Sequence, residues 1–190
     1  MPYDDEIWEL VPEEPVPPPA HLAAFVRDLP RASRALDLGC GDGRLTAELQ
    51  ADEITAADVS RVALDRAAWR VPGARFVEVH FDEPLPFGDG SFDLALCAET
   101  IEHVRDVQLL LSELRRVLEP GGRLALTTPA HSRLTGLDVL VRGFERRFPP
   151  LSPHLRFLTR RSLARLLDEL GFDVEGIARR SATLLARASR

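Results

Sequence analysis

Lysine and asparagine are absent from this 190-residue sequence, and tyrosine and methionine occur once each. With no lysine amine, Schiff-base and P-loop phosphate chemistry are excluded. The two cysteines, Cys40 and Cys97, are far apart and have no CxxC or Cys/His spacing. Neither a zinc ligand set nor a disulfide framework is therefore indicated, and no metal is expected. No run approaches the roughly 18 uninterrupted apolar residues of a membrane span. The first 19 residues are acidic and proline-rich, without the basic and apolar regions of a signal peptide. These absences predict a soluble, cytoplasmic protein. Every basic residue is arginine, and the formal charge of -6 argues against a general nucleic-acid binder, which needs a basic surface to displace counterions.

What the sequence does contain is 45% hydrophobic residues, enough for one domain with a proper core. Residues 1–19 read as a lead-in, extended where Pro12, Pro15, Pro17, Pro18 and Pro19 fix φ and remove donors, and ordered structure is expected from about Ala20. Short apolar runs then alternate with helix-period segments. Strands are predicted at 34–38, 53–57, 75–80, 92–97 and 123–128, most without polar alternation, as for strands covered on both faces. Helices are predicted at 44–50, 61–69, 107–118 and 159–170, the third with Val107, Leu110, Leu111, Leu114, Val117 and Leu118 on one stripe. Two closing runs, 172–178 and 183–188, are too closely connected to be anything but antiparallel. The whole is predicted to be an α/β doubly wound, mostly parallel sheet of about seven strands. Residues 131–157 exceed an ordinary loop and are expected to include a helix with Leu137, Leu140, Val141, Phe144 and Phe148 on one face.

The first predicted strand runs straight into Asp37-Leu38-Gly39-Cys40-Gly41-Asp42-Gly43-Arg44. A glycine-rich turn at a strand's carboxyl end lets backbone approach a nucleotide cofactor. The spacing departs from the dinucleotide GxGxxG/A pattern, because Arg44 stands where the third small residue is needed. The second predicted strand reaches Asp58, whose carboxylate is suited to accept hydrogen bonds from both ribose hydroxyls, or alternatively to cap the helix beginning at Arg61.

DLGCGDG resembles motif I of the class I S-adenosylmethionine-dependent methyltransferases. TAADVS at 55–60, LPFGDGSFD at 85–93 and RVLEPGGRL at 116–124 extend that resemblance over nearly the whole chain from about Ala20. It implies a Rossmann-like methyltransferase fold with S-adenosylmethionine as cofactor and S-adenosylhomocysteine as product. It further implies that Gly39, Cys40, Gly41 and Gly43 back the methionine half, that Asp37 orients its amino group, and that Asp58 holds the ribose with Val59 against adenine. Relatives carry Gly-Asp shortly before the EPLPF stretch, with the Asp on the adenine amine; here Val79 and His80 stand there. His80, Asp82 after a small shift, or neither takes that contact, with Phe81 or its backbone at the adenine edge. Backbone at Cys97 and Ala98 is expected beside the cofactor, with Glu99 or His103 facing the acceptor and His103 the candidate general base. His103 packing at a helix start is the structural alternative.

Residues 130–158 are positioned as an acceptor-side insertion. HxRFxT from His154 and the helix ending at Gly171-Phe172 are similar to the ubiquinone-biosynthesis-like branch of small-molecule methyltransferases. Arg133, Arg142, Arg146, Arg147 and Arg156 suit either an acidic acceptor or a solvated helix face, and the apolar residues there suit a lipid-like one. Trp8 and Tyr3 either close over the cofactor or belong to a disordered tail. The implied partner is a small-molecule methyl acceptor. A cofactor-binding regulator that has lost its chemistry is the first alternative, and a nicotinamide oxidoreductase the second.

Overall fold

Each strand in turn pairs with a neighbour chosen by the crossover that precedes it, and the result is one seven-stranded sheet. The computed structural model describes residues 2–12, 16–147 and 154–190. In chain order the elements are α1 (Pro2–Leu10), α2 (Ala20–Arg27), β1 (Ala32–Leu38), β2 (Ala51–Asp58), α3 (Arg61–Arg70), β3 (Arg75–Glu78), β4 (Phe92–Ala98) and α4 (Val107–Val117). They continue with β5 (Leu118–Pro129), α5 (Arg133–Arg142), α6 (Phe144–Arg147), α7 (Arg160–Glu169), β6 (Asp173–Arg180) and β7 (Thr183–Ser189). The sheet order is β3-β2-β1-β4-β5-β7-β6. All pairings are parallel except those of β7, which runs antiparallel to both β5 and β6.

β1 alternates its side chains between two apolar layers: Leu36 and Leu38 join one, Ala35 the other. The first layer takes α4 and α7, with Leu110, Leu111, Leu114, Val117, Leu163 and Leu167 buried, and the second takes Leu22, Phe25 and Val26 of α2. This coverage of both faces explains the nearly unbroken apolar reading of the central strands. Five of the six predicted stripe positions are buried, Leu118 falling at the start of β5 and Val107 half-buried, and Asp106 caps the start of α4 by accepting from the amides of Gln108 and Leu109 at 3.0 and 2.9 Å.

Two expectations from sequence are corrected. Ordered structure begins not at Ala20 but with helix α1, whose placement depends on contacts with α3 rather than on its own pattern. Residues 44–50 do not form a helix but only a single 3-10 turn at Thr46–Glu48. β2 starts at Ala51, which leaves too little chain for more, and Asp37 draws in the Thr46 hydroxyl at 2.6 Å. The helix expected within 131–157 is present as α5 and α6, and its apolar positions are exposed: Leu137 at 56%, Leu140 at 83%, Val141 at 75% and Phe144 at 60%. Phe148 lies outside the described residues.

Candidate active site

The sheet reverses direction of growth between β1 and β4, because the chain adds β2 and β3 on one side of β1 and then crosses to the other. A crevice opens at such a switch point, outside the carboxyl ends of the strands. The glycine turn lies there. Its first amides are held by β2, with Gly39 and Cys40 both donating to the Ala57 carbonyl at 2.7 and 3.1 Å. Gly41 has φ +53°, a left-handed conformation, and a Cβ there would sit 2.8 Å from Cζ2 of Trp8. Trp8 thus packs directly on the turn.

Gly43 serves a different purpose from its neighbours. It faces α3 rather than the crevice, and a Cβ would meet the Ala67 Cβ at 3.0 Å. Gly43 is therefore the small residue that lets helix and turn approach, the task that the dinucleotide pattern gives to a position filled here by Arg44. Arg44 instead folds back on Asp42, with two hydrogen bonds of 2.8 and 2.7 Å, and Arg70 adds a third at 3.2 Å. Burial opposes the Asp42 charge, but the two guanidinium groups outweigh it and hold the carboxyl below its usual range.

Two acids flank the turn. Asp37 is fully buried beneath it, and burial, reinforced by the Asp58 charge and opposed by the Thr46 hydroxyl, pushes its pKa up to about 7. Asp58, at the end of β2, accepts from the Gly41 amide on Oδ2 at 2.8 Å and from the Ser60 amide on Oδ1 at 3.0 Å. The helix cap read as an alternative for Asp58 belongs to Ser60, which accepts from Ala63 at 3.2 Å. Asp58 instead ties the second strand to the turn. A carboxylate offers about four acceptor positions, so this role is compatible with hydroxyl donors.

A cavity of about 340 Å³ opens over the turn, lined among others by Trp8, His21, Asp37, Gly39, Gly41 and Glu99. Cys40 and Ala98 also line it. Burial drives the thiol pKa of both Cys40 and Cys97 far up, so neither is a nucleophile, and Cys97 is wholly buried in the core. Asp58 and Gly43 do not line the cavity, and the remaining predicted contacts also stand outside it. Val59 is half-buried beside Asp58; Phe81 packs against the core; Asp82 is exposed, 3.7 Å from Arg105; and His80 is exposed. His103 does not line the cavity either, its Nε2 lying 3.9 Å from Oε1 of Glu102.

Glu99 does line it. Its backbone is held at φ +52° by the Thr127 carbonyl and hydroxyl, which its amide meets at 3.0 and 3.2 Å. Burial raises the pKa of its carboxyl, against the Thr127 hydroxyl that donates to it at 2.8 Å. His21 and Thr183, joined at 3.2 Å, complete the wall from α2 and β7. No sequence signal marked this pair, whose members lie 162 residues apart. Arg156 is not available to an acidic acceptor, because its guanidinium donates to the carbonyls of Val104 and Arg105.

A sheet switch point with a glycine turn between a buried acid and an acid at the next strand's end defines a nucleotide-cofactor domain. A family model described as a methyltransferase domain matches residues 10–176, so the chain belongs to that family, within the class I S-adenosylmethionine-dependent methyltransferases. This membership sets the nicotinamide oxidoreductase aside. The chain is 32% identical to an O-methyltransferase of Penicillium expansum over 151 residues, 73% of this chain and 51% of that protein. It is likewise 32% identical to a demethylmenaquinone methyltransferase of Clavibacter sepedonicus over 148 residues, 74% of this chain and 56% of that one. The chain thus spans about half the length of these curated relatives. A crystal structure described as a putative methyltransferase from Bacillus halodurans superposes with a TM-score of 0.74 at 18% identity, covering 90% of this chain and 99% of that one. That likeness establishes the fold.

Proposed function

We propose that this domain transfers a methyl group from S-adenosylmethionine to an oxygen, nitrogen or carbon of a small-molecule acceptor and releases S-adenosylhomocysteine. The observation that carries the proposal is the pair of buried acids around the glycine turn. Asp37 offers a carboxylate on the cavity wall, suited to an ammonium group, and Asp58, tied to the Gly41 amide at the end of β2, is placed to accept from the ribose hydroxyls. When bound, the cofactor supplies an already activated sulfonium leaving group, so the protein's contribution is placement. Asp37 and the turn orient the donor, and Val59, at the adjoining strand end, packs on the adenine.

Of Glu99 and His103, the two residues read from sequence as facing the acceptor, Glu99 is the better candidate and takes over the base role given to His103, because it alone of the two lines the cavity. Where the acceptor loses a proton, a carboxylate of raised pKa is the better proton acceptor of its kind. The acceptor enters from the side of α5 and α6, whose exposed Leu140, Val141 and Phe144 favour an apolar, lipid-like molecule. Among the described residues no helix is long and apolar enough to cross a membrane. A cytoplasmic setting, where this methyl donor is made, fits the reading.

Calorimetric titration with S-adenosylmethionine, S-adenosylhomocysteine and NADH tests it, alongside Asp58→Ala. Micromolar binding of both sulfur compounds, none of NADH, and weaker binding by the variant are expected. Binding without turnover across an acceptor panel would leave a regulator that kept the fold; binding of NADH alone would overturn the assignment.

A further inference from the structure

Outside the cofactor cavity, three potential ligand side chains converge. Glu102 and His103 lie in the turn after β4, and His154 comes from the segment that leads back from α6 toward α7. One carboxylate oxygen and one ring nitrogen from each imidazole all lie within 4.8 Å of one another. The two rings meet edge to face, with centroids 4.9 Å apart. We propose that Glu102, His103 and His154 form a binding site for a divalent transition metal of the zinc class.

The donor set selects the cation. Two imidazoles and a carboxylate suit zinc and its first-row neighbours, whereas magnesium and calcium favour all-oxygen shells. Three protein ligands also leave a fourth position open, as in zinc sites that bind water or substrate. Metal–ligand bonds of about 2.0–2.2 Å put tetrahedral ligands roughly 3.4 Å apart, so the cluster closes by about an ångström on binding. His103, with 38% of its side chain exposed, has the freedom to make that shift.

The supporting shell is already built. The Thr128 hydroxyl donates to Oε2 of Glu102 at 3.0 Å and thereby fixes the orientation in which Oε1 points toward His103. Glu102 itself is 1% exposed, a carboxylate held in place by packing. The third ligand's segment is docked on the same turn, since the Leu155 amide donates to the Glu102 carbonyl at 2.7 Å and Arg156 binds the carbonyls of Val104 and Arg105. A metal here staples the acceptor-side segment to the turn after β4. None of the three residues lines the cofactor cavity, so the site stands independently of the methyl-transfer reading.

The test is calorimetric titration of the metal-free protein with Zn²⁺ and, separately, Mg²⁺, with His103→Ala, His154→Ala and an exposed control, Glu83→Ala. Retained S-adenosylhomocysteine binding and circular dichroism establish that each variant is folded. One equivalent of Zn²⁺ should bind, with affinity reduced at least about tenfold in both ligand variants and unchanged in the control. Substitution by Co²⁺ should give the intense visible absorption of a low-coordinate site, lost in His154→Ala. Failure of the wild type to bind Zn²⁺ stoichiometrically, unaltered affinity in either folded ligand variant, or preference for Mg²⁺ would each overturn the proposal.

Discussion

Asp37 shows how one residue couples folding to ligand binding. Its carboxyl, ordinarily ionised well below neutrality, titrates at about 7 in the cofactor-free protein because burial penalises the charge. A raised folded pKa means that the folded state holds the proton more tightly than the unfolded chain. Its stabilising contribution is full below the unfolded value near 4 and is lost as pH rises toward 7. Glu102, also raised to about 7 by burial and by Glu99, adds a slope of the same sign. Thermal unfolding of the cofactor-free wild type should therefore move to lower temperature between pH 5 and 7 from these groups. Asp37→Asn, which stays neutral, should reduce that slope. An ammonium group against Asp37 reverses the preference, since it favours the carboxylate. Affinity for S-adenosylhomocysteine should accordingly rise from pH 6 to pH 8 and flatten in Asp37→Asn. An identical pH profile for wild type and variant would rule out Asp37 as the titrating contact.

Helix α1 lies against the candidate site, in line with the reading of Trp8 as closing over the turn rather than as part of a disordered tail. Trp8 sits on Gly41, Asp5 accepts from the Ser60 hydroxyl at 2.6 Å and from the Val62 amide at 3.3 Å, and Arg66 reaches back to the Val11 carbonyl at 2.9 Å. These contacts join the chain's start to the two acidic strand ends. Trp8→Ala should leave the sheet intact and speed S-adenosylhomocysteine dissociation severalfold, measured by stopped-flow fluorescence of the remaining Trp69, which is 91% exposed, or by competition. An unchanged dissociation rate would make α1 a bystander. The same comparison shows what a sequence can disclose at this scale. The strands were legible because burial on both faces writes an apolar run bounded by glycine or proline, and α4 because its stripe repeats at the helical period. The glycine turn with Asp37 beneath it was legible as local structure because adjacent residues form it, and Asp58 from its place at the end of the second strand. The contacts of α1, the His21–Thr183 wall and the Glu102–His103–His154 cluster were not, because each is made by chain segments that only the completed sheet brings together. The short turn at Thr46–Glu48 was misread for a related reason: local propensity favours a helix there, while the Thr46 hydroxyl is drawn to Asp37, a contact made across the turn.

At the scale of the whole molecule, the cofactor crevice is where the two apolar layers share strands. β1 supplies Leu36 and Leu38 to one layer and Ala35 to the other; β4 supplies Ala95 and Cys97 to the first and Leu94 and Leu96 to the second. A ligand held at the carboxyl ends of β1 and β2 and beside β4 therefore contacts an arrangement that exists only when the sheet is assembled and both layers are packed. It binds the native state and has nothing comparable to bind in the unfolded chain. Linkage then fixes the size of the effect: S-adenosylhomocysteine at one hundred times its dissociation constant stabilises by about 2.7 kcal/mol. For a domain of this length, about 2–4 °C per kcal/mol converts this to an upward shift of roughly 5–11 °C in the unfolding midpoint. Asp58→Ala should lose most of that shift at the same ligand concentration if the proposed ribose contact holds, because it removes both those acceptors and the tie from β2 to the Gly41 amide. The unliganded variant separates the two effects. A lower midpoint without ligand reports the lost tie, while a smaller ligand-dependent increment reports the lost contact. A variant whose midpoint falls without ligand but whose ligand increment stays at the wild-type value would show that Asp58 is structural only, and that the ribose is held elsewhere.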